Sequence, residues 1–145
     1  MNARITPAYV EFGVQSNFSF LRGASRPEEL VLASCLLGHA GMGLADRNTV
    51  AGVVRAWSQS KHIKPSPDAD EIEYLYHPGC RLVFADGTPD ILAYPRDRKG
   101  WGHLCRMLTQ ANLREETEKG ATLLHLDDLL EWGEDMSLAI LPELV

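Results

Sequence analysis

Apolar residues alternate from Tyr9 to Val14, which predicts a strand with Val10, Phe12 and Val14 on one side. Further on, Ser25 stands three residues before Glu28 with Pro27 between them. That is the pattern of a capping box opening a helix that runs to about Leu37, where Gly38 stops it. Leu30, Leu32, Leu36 and Leu37 surround much of this helix, so it is expected to be covered on more than one side. Gly41 to Ala45 reads as a second strand. Asn48 or Thr49 is suited to cap a helix from Val50 to about Lys61, within which Gly52 implies close approach of a neighbour.

The stretch from His62 to Pro78 holds Pro65, Pro67, Asp68, Asp70, Glu71 and Glu73, and reads as an inserted acidic loop. Asp68 and Asp70 hint at a calcium loop, but the turn glycine and terminal glutamate of such a loop are missing, and a solvated loop is the better reading. Arg81 to Phe84 and Ile91 to Tyr94 flank Asp86-Gly87-Thr88-Pro89 and read as two strands joined by a turn. From Arg98 the period becomes helical, with Trp101, Leu104, Leu108 and Ala111 as one buried stripe. A short helix near Leu126 to Trp132 and a last strand from Ser137 to Leu141 complete an alternation of strands and helices. This order predicts an α/β fold with right-handed crossovers and largely parallel strands.

Composition narrows the function classes. At 145 residues, 45% hydrophobic and 23% charged, the chain suits one globular domain. Its formal net charge is −6 and it has no block of lysines or arginines, so strong autonomous DNA binding is not expected. Cys35, Cys80 and Cys105 form no C-x-x-C pair, which argues against a disulfide framework and a zinc knuckle and fits a reducing cytoplasm. There is no apolar run long enough to span a bilayer, and Met1 to Pro7 lacks the apolar core of a signal peptide. None of His39, His62, His77, His103 or His125 has ligand spacing to another histidine or to a cysteine.

Three stretches carry a resemblance: Ser16-Asn17-Phe18-Ser19-Phe20-Leu21-Arg22-Gly23-Ala24-Ser25, Leu44-Ala45-Asp46-Arg47-Asn48-Thr49-Val50-Ala51-Gly52, and Gly100-Trp101-Gly102-His103-Leu104-Cys105-Arg106-Met107-Leu108-Thr109. In order and spacing they resemble the polymerase-and-histidinol-phosphatase (PHP) domain of C-family bacterial DNA polymerases. Pro78 to Gly87, followed by Pro89-Asp90-Ile91-Leu92, is similar to the error-prone branch. The resemblance implies that residues 1–145 form the first part of a PHP domain, a partial and distorted (β/α) barrel, with 1–8 as a disordered or extended tail and 62–78 as the insertion.

An intact site of that family gathers metal ions with an H-x-H at the end of the first strand, an aspartate before a glycine, a D-H at the end of the second strand and an acid after the third. The matching positions here are Gly13 and Gln15, Arg22 before Gly23, and Asp46-Arg47. Glycine offers no ligand, a glutamine amide is a weak one, and arginine cannot deprotonate to bind a metal. Asp86 stands either at the acidic position or, more simply, as the turn residue before Gly87. The resemblance therefore implies a degenerate site without the family's divalent metals or any other cofactor.

Two readings of Arg22 and Arg47 stay open: either their guanidinium groups neutralise Asp46 and Asp86 in place of the cations, or both are exposed. The expected function is a non-catalytic scaffold or interaction module of an error-prone translesion polymerase. Its partners would be the downstream polymerase region or other mutasome subunits, and an unpaired edge near Ser137 to Leu141 would favour a homodimer. The alternatives are a metal-dependent phosphoesterase or 3′-5′ exonuclease with unusual ligands, and a free-standing binding protein.

Overall fold

The computed structural model describes residues 8–63, 73–114, 118 and 121–142. In chain order the elements are β1 (Val10–Val14), α1 (Pro27–Leu36), β2 (Gly41–Arg47), α2 (Val53–Ser60), β3 (Leu75–Leu82), β4 (Ile91–Pro95), α3 (Arg98–Asn112), α4 (Leu126–Trp132) and β5 (Met136–Ile140). The strands form one curled sheet in the order β1-β2-β3-β4-β5. The first three run parallel, as strand-helix-strand alternation dictates, while β4 and β5 each turn back antiparallel.

All four helices cover one face of this sheet. Val31 of α1 and Val53 and Ala56 of α2 pack on Met42 and Leu44. Leu104, Met107, Leu108 and Ala111 of α3 and Leu129 of α4 pack on Cys80, Leu82, Ile91 and Ala93. Trp101 touches both clusters, so its place in the apolar stripe of α3 is a packing role. The other face is lined by the smaller cluster of Ala45, Leu92 and Tyr94.

Local chemistry explains where the sequence expectations shift. The capping box sits one residue later than Ser25 and Glu28: Arg26 is the N-cap, and its N–H donates to Glu29 Oε2 at 2.8 Å. Pro27 takes the first helical position and forces the residue before it into extended backbone, which makes Arg26 the cap. Among the described residues the α1 helix is covered on one side only, since Leu32, Leu36 and Leu37 face outward, Leu36 being 88% exposed. The second helix begins at Val53 rather than Val50, with neither Asn48 nor Thr49 as its cap. Asn48 is committed elsewhere: its amide group donates to the Val83 carbonyl at 2.9 Å and accepts from the Val83 N–H at 2.8 Å. Close approach at Gly52 is real, because a Cβ there would lie 2.8 Å from Pro27 Cγ.

The strand read as Arg81 to Phe84 is Leu75–Leu82, so Leu75 to Pro78 belongs to a strand and not to the inserted loop. Pro78 masks it in the sequence. The proline is tolerated because β4 pairs only with Cys80 to Leu82, leaving the first half of β3 with one neighbour. Asp68 and Asp70 lie outside the described residues. On β1, Gly13 adopts φ +77 and the register shifts between Glu11 and Val14. This bulge separates Phe12 from Val14: Val14 joins the helix-covered core, whereas Phe12 stacks edge-on against Tyr94 on the opposite face.

Candidate functional site

The family's metal positions cluster at the carboxyl ends of β1 and β2. Consecutive residues of a strand point to opposite faces, and Asp46 pairs with Cys80, a member of the helix-side core. Asp46 therefore turns toward the helices and Arg47 away from them. Asp46 is 1% exposed. Its carboxylate accepts the Ser16 N–H and the Ser16 hydroxyl, both at 2.7 Å, and the Ser19 hydroxyl at 2.6 Å. Ser19 Oγ in turn accepts the Arg47 N–H at 3.0 Å, and Ser16 Oγ accepts the Phe18 N–H at 3.2 Å. The loop after β1 is thus tied to the end of β2 by one buried carboxylate and two serines. Below it, Cys80 donates its thiol to the Asp46 carbonyl at 3.3 Å, and burial pushes that thiol up to about 12.

On the opposite face the ring of Tyr94 fills the space over the strands. A Cβ at Gly79 would stand 2.4 Å from its Cδ1, and one at Gly43 would stand 2.9 Å from its hydroxyl. The Tyr94 hydroxyl accepts the Gly13 N–H at 2.8 Å and donates to the Gly43 carbonyl at 3.1 Å. Burial pushes it up to about 12. At Gly13, a Cβ would meet Leu92 Cδ1 at 3.3 Å, and the positive φ disfavours any side chain there. Gln15 contributes an amide whose Nε2 is buried without a hydrogen-bond partner among the described residues.

Arg22 and Arg47 are both exposed, and neither makes an ion pair among the described residues. This corrects the reading in which they neutralise leftover carboxylates; serine hydroxyls and a backbone N–H have taken that role at Asp46. Asp86 is a turn and cap residue. It accepts the Thr88 N–H at 3.1 Å and the Leu126 N–H at 2.7 Å at the start of α4. The Leu126 bond is the largest of the effects that hold its carboxyl down to about 2.

Among the described residues, the group with metal-type side chains close enough to share an ion is His103, Glu134 and Asp135, and it includes neither Asp46 nor Asp86. Lys99 Nζ already pairs with both of its carboxylates at 3.1 Å. The PHP-family metals do not fit this chain. Gly13 and Leu92 leave no ligand and no room, Gln15 presents an orphaned amide nitrogen, Arg47 places a cation at a ligand position, and Asp46 faces away with three donors already on it. Sequence reasoning missed Ser16, Ser19 and Tyr94. The two serines stood in the quoted motif, and their three-residue spacing beside a strand-end aspartate was a usable signal.

No family model matches the chain. It is 72% identical over 145 residues to an error-prone DNA polymerase of Mesorhizobium japonicum, covering 99% of this chain and 12% of that one. It is 52% identical over 138 residues to an error-prone DNA polymerase of Sinorhizobium medicae, covering 95% and 11%. It is 53% identical over 134 residues to error-prone DNA polymerase 1 of Rhizobium meliloti, covering 92% and 11%. Among solved structures, a protein of Bifidobacterium adolescentis assigned as a metal-dependent phosphoesterase superposes with a TM-score of 0.53 at 23% identity. That match covers 74% of this chain and 34% of the other. An amidohydrolase from Chromobacterium violaceum gives 0.51 at 18%, over 72% and 33%.

The fold is a partial, curled α/β barrel of the PHP type. By sequence the chain is similar to one part of error-prone DNA polymerases: it spans about 12% of the length of the Mesorhizobium relative. Among the described residues, no helix is long and apolar enough to cross a membrane.

Proposed function

We propose that the chain is a non-catalytic PHP module of an error-prone, translesion DNA polymerase, serving as a scaffold for the downstream polymerase region in the cytoplasm. The observation that carries this reading is Asp46: the one carboxylate left among the strand-end metal positions is buried, turned away from Arg47 and engaged by three hydrogen bonds from Ser16 and Ser19. One or two carboxylates hold a divalent ion weakly. The purified chain is expected to contain no stoichiometric zinc, manganese or iron and to hydrolyse neither phosphomonoesters nor single-stranded DNA. Elemental analysis and a manganese-supplemented hydrolysis assay test this. Tightly held metal, with hydrolysis abolished in a folded Asp46→Ala variant, would establish the phosphoesterase reading instead.

The scaffold role is supported by apolar surface that the described residues leave uncovered. Leu32, Leu36 and Leu37 form an outward stripe on α1, and β5 is an edge strand with Leu138 and Ile140 exposed. We assign the α1 stripe to the downstream polymerase region, because the Mesorhizobium relative has most of its length outside the matched part. The β5 edge would pair with a second copy of the isolated chain. Light scattering is expected to show a concentration-dependent dimer, and a monomer at every concentration would remove that expectation.

A further inference from the structure

A cleft of about 580 Å³ opens beside the end of β2, lined among others by Phe18, Phe20, Arg47, Thr49, Asn112 and Thr122. It lies between the loop after β1 and the end of α3, at the carboxyl end of β2. Its lining combines three chemistries. Phe18 and Phe20 present aromatic rings, and Phe20 is 82% exposed. The Arg47 guanidinium has neither an ion pair nor a side-chain hydrogen bond among the described residues. Thr49 accepts the Ala51 N–H at 3.2 Å, which leaves its hydroxyl proton free. Asn112 spends one amide hydrogen on the Leu108 carbonyl and accepts from Thr122, which leaves its other hydrogen free.

The cleft wall is also held in place. Phe18 and Phe20 flank Ser19, whose hydroxyl is fixed by Asp46, and turn bonds from the Arg22 and Gly23 N–H groups to the Ser19 carbonyl close the loop. The loop backbone that carries the two rings is therefore ordered before binding, and the remaining ordering cost falls on the Phe20 and Arg47 side chains.

We propose that this cleft binds an unpaired nucleotide, its base stacked on Phe20 and Phe18 and its phosphate on Arg47. Aromatic stacking suits any base, and a guanidinium matches a phosphate in charge and geometry. A purely apolar protein segment fits less well, because it would bury Arg47 with no counter-charge. One stack and one phosphate make a weak site, in keeping with the acidic net charge. The proposal goes beyond the scaffold reading and does not depend on it.

The shared chemistry has two sources, a free nucleotide and a single strand, and amide NMR titrations with dTMP and with a short oligothymidylate at low salt separate them. Both arms are expected to shift Phe18 to Arg22, Arg47 to Thr49 and Thr122. Tighter binding of the oligomer assigns the strand, and equal affinity assigns the nucleotide. Arg47→Ala and Phe20→Ala are each expected to weaken binding about fivefold or more, with Arg47→Lys retaining most of it. Both side chains are exposed, so the variants should fold. Three results would overturn the site: no shifts in the cleft with either ligand, shifts indifferent to both alanine variants, or Phe20 shifts that follow protein concentration alone and so mark a protein contact. Cleavage of the oligomer would sink the non-catalytic reading while leaving the cleft in place.

Discussion

Replacing Asp46 by alanine is expected to lower the unfolding free energy by about 3 kcal/mol or more, since each stranded buried donor costs about 1–3 kcal/mol. Three donors lose their acceptor: the Ser16 N–H, the Ser16 hydroxyl and the Ser19 hydroxyl. With Ser16 and Ser19 themselves at 0% and 1% exposure, these groups have little access to water in exchange. Asp46→Asn should cost less. Its remaining oxygen can keep the two bonds made at Oδ1, and its new amide can donate to the Ser16 oxygen. Urea denaturation of the three proteins measures the order. A loss below about 1 kcal/mol for the alanine variant would mean that water replaces the carboxylate, and the buried knot would then not be what fastens the loop after β1.

The same knot shows what the sequence could and could not say about the site. Substitutions at Gly13, Gln15, Arg22 and Arg47 were legible because ligand chemistry depends on residue type alone. The role of Asp46 was not, because it depends on which way a strand residue faces. That direction is set by pairing with Cys80, and β3 begins before the proline that hid its first half. Likewise Tyr94 looks like any strand aromatic until the glycines of three other strands are brought under its ring and hydroxyl. The alternation of strands and helices was legible, and so was the long stripe of α3, because local periodicity decides both. The reversal of β4 was legible in the turn around Asp86 and Gly87. The outward face of α1 escaped because an all-round apolar helix signals partners on several sides, and among the described residues only one side is filled.

The other large effect belongs to Asp128, which sits in the first turn of α4 and is 3% exposed. It accepts the His125 N–H at 2.8 Å and both terminal nitrogens of Arg114, one of them at 2.9 Å. Arg114 also donates to the Leu123 carbonyl, so one guanidinium ties the segment after α3 to the start of α4. Burial by itself would raise the Asp128 carboxyl, but the Arg114 and His125 hydrogen bonds and the Arg114 charge outweigh it and hold the group below the usual aspartate range. A carboxyl depressed in this way contributes stability above its unfolded value, and that contribution is lost as the pH falls through its folded value. Asp128→Asn takes the negative charge out of the two-point contact with the Arg114 guanidinium. The expected loss near neutral pH is about 3 kcal/mol, the low end for a broken buried pair because Arg114 keeps some contact with water. Removing both charges with Asp128→Leu and Arg114→Met should cost less than removing one. Thermal or urea unfolding at neutral pH and again below the aspartate range tests both parts. The gap between wild type and Asp128→Asn should close in acid, and a gap unchanged with pH would show that the pair is screened and does not hold α4 in place.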